Sequence, residues 1–109
     1  MAEKSILKNK PQALIKRFKE DLIKKGIPVD QMILFGSYAK GQPKPWSDLD
    51  VCVVSKSFGK DSYDEMVRLM IIASDIEPRL EPHPYHPNDL KDKYDPLAHE
   101  IRTHGQVIG

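Results

Sequence analysis

Two short apolar runs, Gln31–Phe35 and Leu49–Val54, most constrain how this chain can fold. The first is continuously apolar after its opening residue and stops at Gly36, whereas the second is dense in β-branched residues. Short apolar runs of this kind are typical of buried strands. We therefore predict two strands of one sheet, joined by a loop rich in glycine, proline and lysine.

Helical patterns lie on both sides of these strands. Residues of about 10–25 have apolar side chains at helical spacing, with Pro11 in the first turn and Gly26 as a stop. Ser62 and Glu65 match a capping box, which predicts a second helix over about 62–75. The predicted apolar positions of this second helix are Met66, Val67, Met70, Ile71 and Ile72.

The C-terminal third predicts a further strand, a helix and a last short strand. Residues of about 76–83 alternate between apolar and polar, and Pro82 and Pro84 restrict that strand to an edge of the sheet. Asp95 and Pro96 have the pattern of a helix start. The helix they open is predicted to end at Gly105, before a strand over 106–108.

Asp48 and Asp50 are the first candidates for chemistry. If both lie in a strand over 48–54, their side chains leave the same face with Cα atoms about 6.6 Å apart. Two unpaired carboxylates at this separation repel each other, and a pair of Mg²⁺ ions would compensate them. The alternative at this point is a solvated acidic pair at the entrance of a strand.

The Gly36-Ser37 turn is the second candidate. A buried strand that ends in Gly-Ser is typical of a strand-to-helix turn whose backbone N–H groups bind phosphate. Ser37 would add a hydroxyl and Lys40 a cation, although an ordinary turn has the same composition. A P-loop is excluded, because Gln42-Pro43 stands where that motif requires Lys-Ser or Lys-Thr.

Gly36-Ser37, ten residues, then Asp48-x-Asp50 resembles the signature of the DNA polymerase beta-like nucleotidyltransferase superfamily. The segments 81–85 and 95–105 also resemble the C-terminal part of its minimal nucleotidyltransferases, so that the resemblance extends from about residue 12 to the end. It implies the fold of that superfamily, an α+β sandwich in which a small mixed β-sheet is flanked by helices.

The resemblance also implies roles for single residues. Gly36, Ser37 and Lys40 would hold the nucleotide's phosphates, and Asp48 and Asp50 would bind two Mg²⁺ ions, with Mn²⁺ as the alternative. The family has a third carboxylate on a later strand. The candidates for this third acid are Glu77 and Glu81, and the family context favours Glu81.

The activity implied by the resemblance is metal-dependent transfer of AMP from ATP to a hydroxyl. The small members resemble antitoxins encoded beside a helical HEPN partner, which would then carry the acceptor. One alternative is a non-catalytic antitoxin-like binding subunit. Another is transfer to a small molecule by a homodimer whose second subunit closes the site.

Composition bounds these expectations. A chain of 109 residues predicts one domain over residues 1–109, and its single cysteine, Cys52, fits a reducing cytoplasm. Residues 1–10 lack the apolar run of a signal peptide, and no membrane-spanning segment is predicted. A net charge of +1 gives no general argument for nucleic-acid binding, and we do not expect this chain to bind nucleic acid directly. His83 and His86 have a spacing that could ligate a metal, but we interpret them as part of an exposed proline-rich loop, and Cys52 as a core residue.

Overall fold

The computed structural model describes residues 9–109, in which four strands form one sheet of order β3-β2-β1-β4. The absence of a signal peptide was predicted for a segment that lies mostly outside these residues. The helices are α1 (Pro11–Lys24), α2 (Ser62–Ile76), α3 (Pro87–Leu90) and α4 (Pro96–His104). The strands are β1 (Gln31–Phe35), β2 (Leu49–Val54), β3 (Leu80–Tyr85) and β4 (Gln106–Val107).

The sheet is mixed. β1 pairs antiparallel with both β2 and β4, whereas β2 and β3 are parallel and are connected through α2. β3 lies at an edge, as Pro82 and Pro84 predicted, because neither proline has an N–H for a second neighbour. The predicted α+β fold, a small mixed sheet with flanking helices, is confirmed.

The two faces of the sheet are covered differently. α1 and α2 cover one face with a continuous apolar layer that also includes the inward side chains of the strands. α4 covers part of the other face, where a smaller apolar cluster forms. The members of this smaller cluster are Ile33, Phe35, Cys52, Val54, Tyr85, Ala98 and Ile101. Cys52 is fully buried there, and burial raises the pKa of its thiol to about 12, which confirms it as a core residue.

The start and the buried side of α2 differ from the prediction. The cap is Asp61, which accepts a hydrogen bond from the Asp64 N–H at 3.1 Å, so Ser62 is the first helical residue. α2 buries Leu69, Ile72 and Ala73, and leaves the predicted core residues Met70 and Ile71 exposed. Two apolar stripes at helical spacing run along this helix, and the sequence pattern cannot tell which of them meets the sheet.

The predicted strand over 76–83 is shifted along the chain. α2 continues to Ile76, a turn follows in which the Leu80 N–H donates to the Glu77 carbonyl at 2.9 Å, and β3 begins only at Leu80. Ile76 follows Ile72 and Ala73 on the buried side of the helix, and a short alternating pattern does not separate such a helix end from a strand. The short helix α3 was not predicted.

The C-terminal elements confirm their prediction. Asp95 caps α4 by accepting from the Leu97 N–H at 3.0 Å, Pro96 is the first helical residue, and Gly105 follows the last. β4 then pairs with β1. None of the helices in the described part of the chain combines the length and apolar character that a membrane crossing requires.

Candidate active site

The register of β1 and β2 places Gly36 beside Asp50. Phe35 is the partner of Asp50 across the two strands, and Gly36 follows it with a φ of +78°. A Cβ at Gly36 would overlap the Asp50 carboxylate and lie 3.3 Å from its Cγ. Only glycine combines this left-handed backbone with so close an approach. The structure thus brings the Gly-Ser turn and the second acid of the Asp-x-Asp pair into contact.

Residues 36–42 form consecutive turns and not the predicted start of a helix. The N–H groups of Ala39 and Lys40 both donate to the Gly36 carbonyl, at 3.1 and 3.2 Å. Within residues 9–109, no hydrogen-bond acceptor is found for the N–H groups of Ser37 and Tyr38. Next to Gly36, these two backbone N–H groups and the Ser37 hydroxyl thus have no partner among the residues that the structure describes.

Two side chains of the C-terminal segment bind to these turns. Glu100 on α4 forms an ion pair with Lys40, with 3.1 Å between Oε2 and Nζ. The side-chain amide of Gln106 on β4 donates to the Ala39 carbonyl at 2.8 Å. The predicted phosphate cation Lys40 is thus held by a carboxylate in this structure, although 43% of its side chain remains exposed.

The parallel pairing of β2 and β3 places Glu81 opposite Asp50 and His83 opposite Cys52. Because side chains two residues apart share a face, Asp50, Glu81 and His83 meet on the α4 side of the sheet. One ligand atom from each of the three lies within 4.8 Å of the others. Glu77 is elsewhere, nearly buried, with its carboxylate accepting from the Arg79 N–H at 3.1 Å. Of the two candidates for the third acid, the structure brings only Glu81 to Asp50.

Asp48 lies in the segment before β2, since this strand begins at Leu49 and not at residue 48 as predicted. This segment is fixed on both sides of Asp48. The Arg79 guanidinium donates to the Ser47 carbonyl at 3.1 Å, and the Leu49 N–H donates to the Arg79 carbonyl at 2.8 Å. Asp48 itself is exposed and does not belong to the cluster of three ligand atoms.

The surroundings of Glu81 do not balance its negative charge. The pKa of Glu81 is raised above its usual value, first by burial, then by a hydrogen bond and charge repulsion from Asp50, with a smaller effect of Asp48. The nearby His83 acts in the opposite direction but does not outweigh them. A divalent cation bound here would remove this imbalance, and carboxylate oxygens are ligands that hard cations such as Mg²⁺ prefer.

His83 joins the acids, although the sequence analysis favoured a loop over a metal ligand at this position. Its Nε2 lies 3.4 Å from Asp50 Oδ1, and its ring meets the Phe35 ring edge-on with centroids 5.1 Å apart. The period-two pattern had already placed His83 on the face of Glu81. The interpretation as a loop was wrong because it grouped His83 with His86, which instead caps α3 through a hydrogen bond from the Asn88 N–H.

A surface hollow of about 320 Å³ lies elsewhere on the molecule, lined in part by Ile27, Phe58 and Arg68. None of the acids of the cluster lines it. Three backbone N–H groups at its edge, those of residues 59–61, already donate to the Glu65 carboxylate. This hollow therefore has no free anion-binding turn and is not the candidate site.

Comparisons with known proteins identify the family and the fold. A family model of the nucleotidyltransferase domain matches residues 15–101. No relative was found among the curated proteins. A solved structure from Sulfolobus solfataricus, provisionally described as a nucleotidyltransferase, shares 16% identity and a TM-score of 0.66, over 94% of this chain and 90% of that one.

Two further solved structures are toxin–antitoxin complexes. One, a toxin–antitoxin with AMP-PNP, matches at 22% identity and a TM-score of 0.62, over 86% of this chain and 72% of that one. The other contains a tri-AMPylated Shewanella oneidensis HEPN toxin and an MNT antitoxin, and matches at 21% identity and a TM-score of 0.57, over 90% and 71%. At this identity the likenesses show the fold, whereas the family model covers most of the sequence. The chain belongs to the nucleotidyltransferase-domain family.

Proposed function

We propose that this protein is a metal-dependent nucleotidyltransferase that moves AMP from ATP to a hydroxyl of a HEPN-type partner, as the antitoxin of a toxin–antitoxin pair. The observation that carries the proposal is the contact between the Gly36-Ser37 turn and Asp50, with Glu81 beside Asp50 on the next strand. Phosphate-binding donors and cation-binding acids then border the same space.

The turn is suited to the phosphates of the nucleotide. Gly36 has no side chain to keep a phosphate away, and Ser37 and Tyr38 have N–H groups without a partner in the described chain. Lys40 would contribute a positive charge once a phosphate competes with Glu100 for it. Donors fixed before the substrate arrives stabilise charge without reorganisation during the reaction.

The acids are suited to divalent ions, and Asp48, Asp50 and Glu81 would hold them. Bound Mg²⁺ or Mn²⁺ would neutralise the triphosphate and lower the pKa of the acceptor hydroxyl. The hydroxyl oxygen forms a bond to the α-phosphorus while the bond to pyrophosphate breaks. Glu81 would also accept the hydroxyl proton as a general base.

The partner is proposed from the toxin–antitoxin complexes that share this fold. In one of them the HEPN toxin is described as tri-AMPylated beside an MNT antitoxin, which is the product that our reaction would form. The acceptor hydroxyl would then lie on this second protein.

The test combines the purified chain, a HEPN protein encoded next to it, Mg²⁺ and ATP labelled at either the α- or the γ-phosphate. We expect label on the partner from α-labelled ATP only, because the γ-phosphate leaves with pyrophosphate. Asp50→Asn should reduce this labelling by about 10²-fold or more, as expected for the loss of one strongly stabilising charge. Asp75→Asn, an exposed acid at the end of α2, is the matched control and should label normally.

Other outcomes identify the alternatives. A tight complex without label would contradict transfer and support a non-catalytic binding subunit. Label on neither protein, with α-labelled small molecules in the solution, would instead support a small-molecule transferase. Full labelling by Asp50→Asn would contradict the proposed role of the acids.

A further inference from the structure

We propose that His83 is a direct ligand of one divalent ion, together with Asp50 and Glu81, and that this nitrogen ligand makes the site prefer Mn²⁺ to Mg²⁺. The inference rests on the proposed function, because it concerns the metal of the same site. It adds a residue that the Gly-Ser and Asp-x-Asp signature does not contain.

The spacing of the three side chains carries the proposal. Ligand atoms that occupy neighbouring corners of an octahedron with bonds of about 2.1 Å lie about 3.0 Å apart. His83 Nε2 and Asp50 Oδ1 are 3.4 Å apart, and with a Glu81 oxygen they form a set within 4.8 Å. Shifts of a few tenths of an ångström in the positions of these side-chain atoms would bring the closest pair to this geometry.

The orientation of the imidazole also supports a ligand role. Phe35 packs edge-on against the His83 ring, and the strand register places the His83 Cα opposite Cys52, so that packing supports one side of the imidazole. The side chains of His83 and Asp50 are 20% and 23% exposed, which leaves both accessible to an ion from solution. A histidine with a role only in core packing would not need its ring nitrogen beside two solvent-accessible acids.

The chemistry of the donor set gives the metal preference. Mg²⁺ binds oxygen almost exclusively and keeps much of its water, whereas imidazole suits transition metals. Mn²⁺ also binds carboxylate oxygens, but as a transition metal it accepts an imidazole nitrogen more readily than Mg²⁺ does. Two carboxylates and one imidazole therefore favour Mn²⁺, where the carboxylates alone would serve either ion.

The experiment is electron spin-echo spectroscopy of Mn²⁺ added to the chain alone, without nucleotide or partner. We expect a ¹⁴N coupling typical of a bound imidazole, which ¹⁵N-histidine labelling converts to a ¹⁵N coupling. His83→Gln should remove it and weaken Mn²⁺ binding by at least about 10- to 100-fold, since loss of an outer-shell partner already costs that much and His83 is a direct ligand. His104→Gln, at the exposed end of α4, should keep both signal and affinity.

The wild-type spectrum alone shows whether a histidine nitrogen binds Mn²⁺. If His83→Gln does not fold, His83→Asn is a second variant for the same measurement. The proposal is overturned if the wild type shows no histidine nitrogen coupling. It is also overturned if the coupling persists in a folded His83 variant. Equal wild-type affinity for Mg²⁺ and Mn²⁺ overturns the stated preference. A chain that shows the His83 coupling but transfers no label would overturn the proposed function and leave this inference intact.

Discussion

The two faces of the sheet are built from the same strands and yet serve different purposes. The face under α1 and α2 is apolar from end to end, with side chains such as Phe18 and Leu69 fully buried. On the other face, each of β2 and β3 changes from charged to apolar along its length. Asp50 and Glu81 stand at the open end, whereas Val54 and Tyr85 pack under α4.

The α1/α2 face mainly stabilises the protein, whereas the open end of the other face contains the candidate site. Packing of the α1/α2 face supplies most of the apolar burial, so the open end of the other face can hold two acids that repel each other. Substitutions on the first face should change the free energy of unfolding. Substitutions at the open end should change binding and transfer and leave the fold in place.

The largest expected change in stability is for Phe18→Ala on the α1/α2 face. Its side chain is fully buried, and removal of such a ring lowers the free energy of unfolding by about 3–5 kcal/mol. Urea denaturation followed by circular dichroism measures this loss. A loss below about 1 kcal/mol would mean that this face is not the main source of stability.

Gly36→Ala tests the contact between the turn and Asp50. Alanine at a φ of +78° costs about 1–2 kcal/mol, and its Cβ also pushes against the Asp50 carboxylate. Gly41→Ala is the matched control, because Gly41 has a φ of +72° but open space around its Cα. We expect similar backbone strain in both variants, and loss of nucleotide binding only in Gly36→Ala. Equal nucleotide binding by both variants would show that the contact is not needed.

Asp95→Ala concerns the apolar end of the second face. Asp95 caps α4 and accepts a hydrogen bond from the Tyr85 hydroxyl at 2.7 Å, which holds its pKa below the ordinary 3.8. Loss of the cap should lower the free energy of unfolding by about 1 kcal/mol near neutral pH. Because the folded pKa is the lower one, this stabilisation is complete above pH 3.8 and disappears as pH falls through the folded value.

The free energy of unfolding of the wild type and of Asp95→Ala, measured between pH 2 and 7, tests this effect. The two values should become equal at the acid end of this range. Tyr85→Phe keeps the cap and removes only the bond from the hydroxyl, so it should show a smaller loss. A difference that stays constant down to pH 2 would contradict this linkage.

The smallest expected effect is an increase in the free energy of unfolding, caused by Glu81→Gln. In metal-free solution, Glu81→Gln should raise the free energy of unfolding slightly at pH 7, since the folded state holds the ionised Glu81 at a penalty. The pKa of Glu81 is higher in the folded than in the unfolded state. Wild-type stability therefore falls as pH rises from the unfolded pKa through the folded pKa, and the gain in stability from Glu81→Gln disappears below that pH range.

Glu77→Gln is the control for Glu81→Gln, because Glu77 is nearly buried and accepts from the Arg79 N–H instead of facing an acid. It should not stabilise the protein. A gain for Glu77→Gln and none for Glu81→Gln would reverse our choice of the third acid.

The sequence predicted those features that depend on neighbouring residues. β1 and β2 follow from continuous apolar runs, and α4 follows from Asp95-Pro96 at its start and Gly105 at its end. The edge position of β3 follows from prolines that cannot donate a second set of hydrogen bonds. Each of these signals is local, and each was correct in the structure.

The features that were missed depend on contacts between distant segments. The buried stripe of α2 is chosen by the sheet it meets, and the pairing of β2 with β3 determines which side chains join Asp50. Glu81 was selected through a resemblance, whereas His83 needed the register between strands to bring it to the acids. No spacing along the chain shows that residues 50 and 83 are neighbours.

Calorimetric binding of a non-hydrolysable ATP analogue to the chain alone tests the central claim, that the turn and the acids form one metal-dependent nucleotide site. With Mn²⁺ or Mg²⁺ present, we expect saturable binding by the wild type and by Asp75→Asn. Removal of the metal, or the Asp50→Asn substitution, should abolish it. Equally strong binding without any divalent ion, or by Asp50→Asn, would contradict the account.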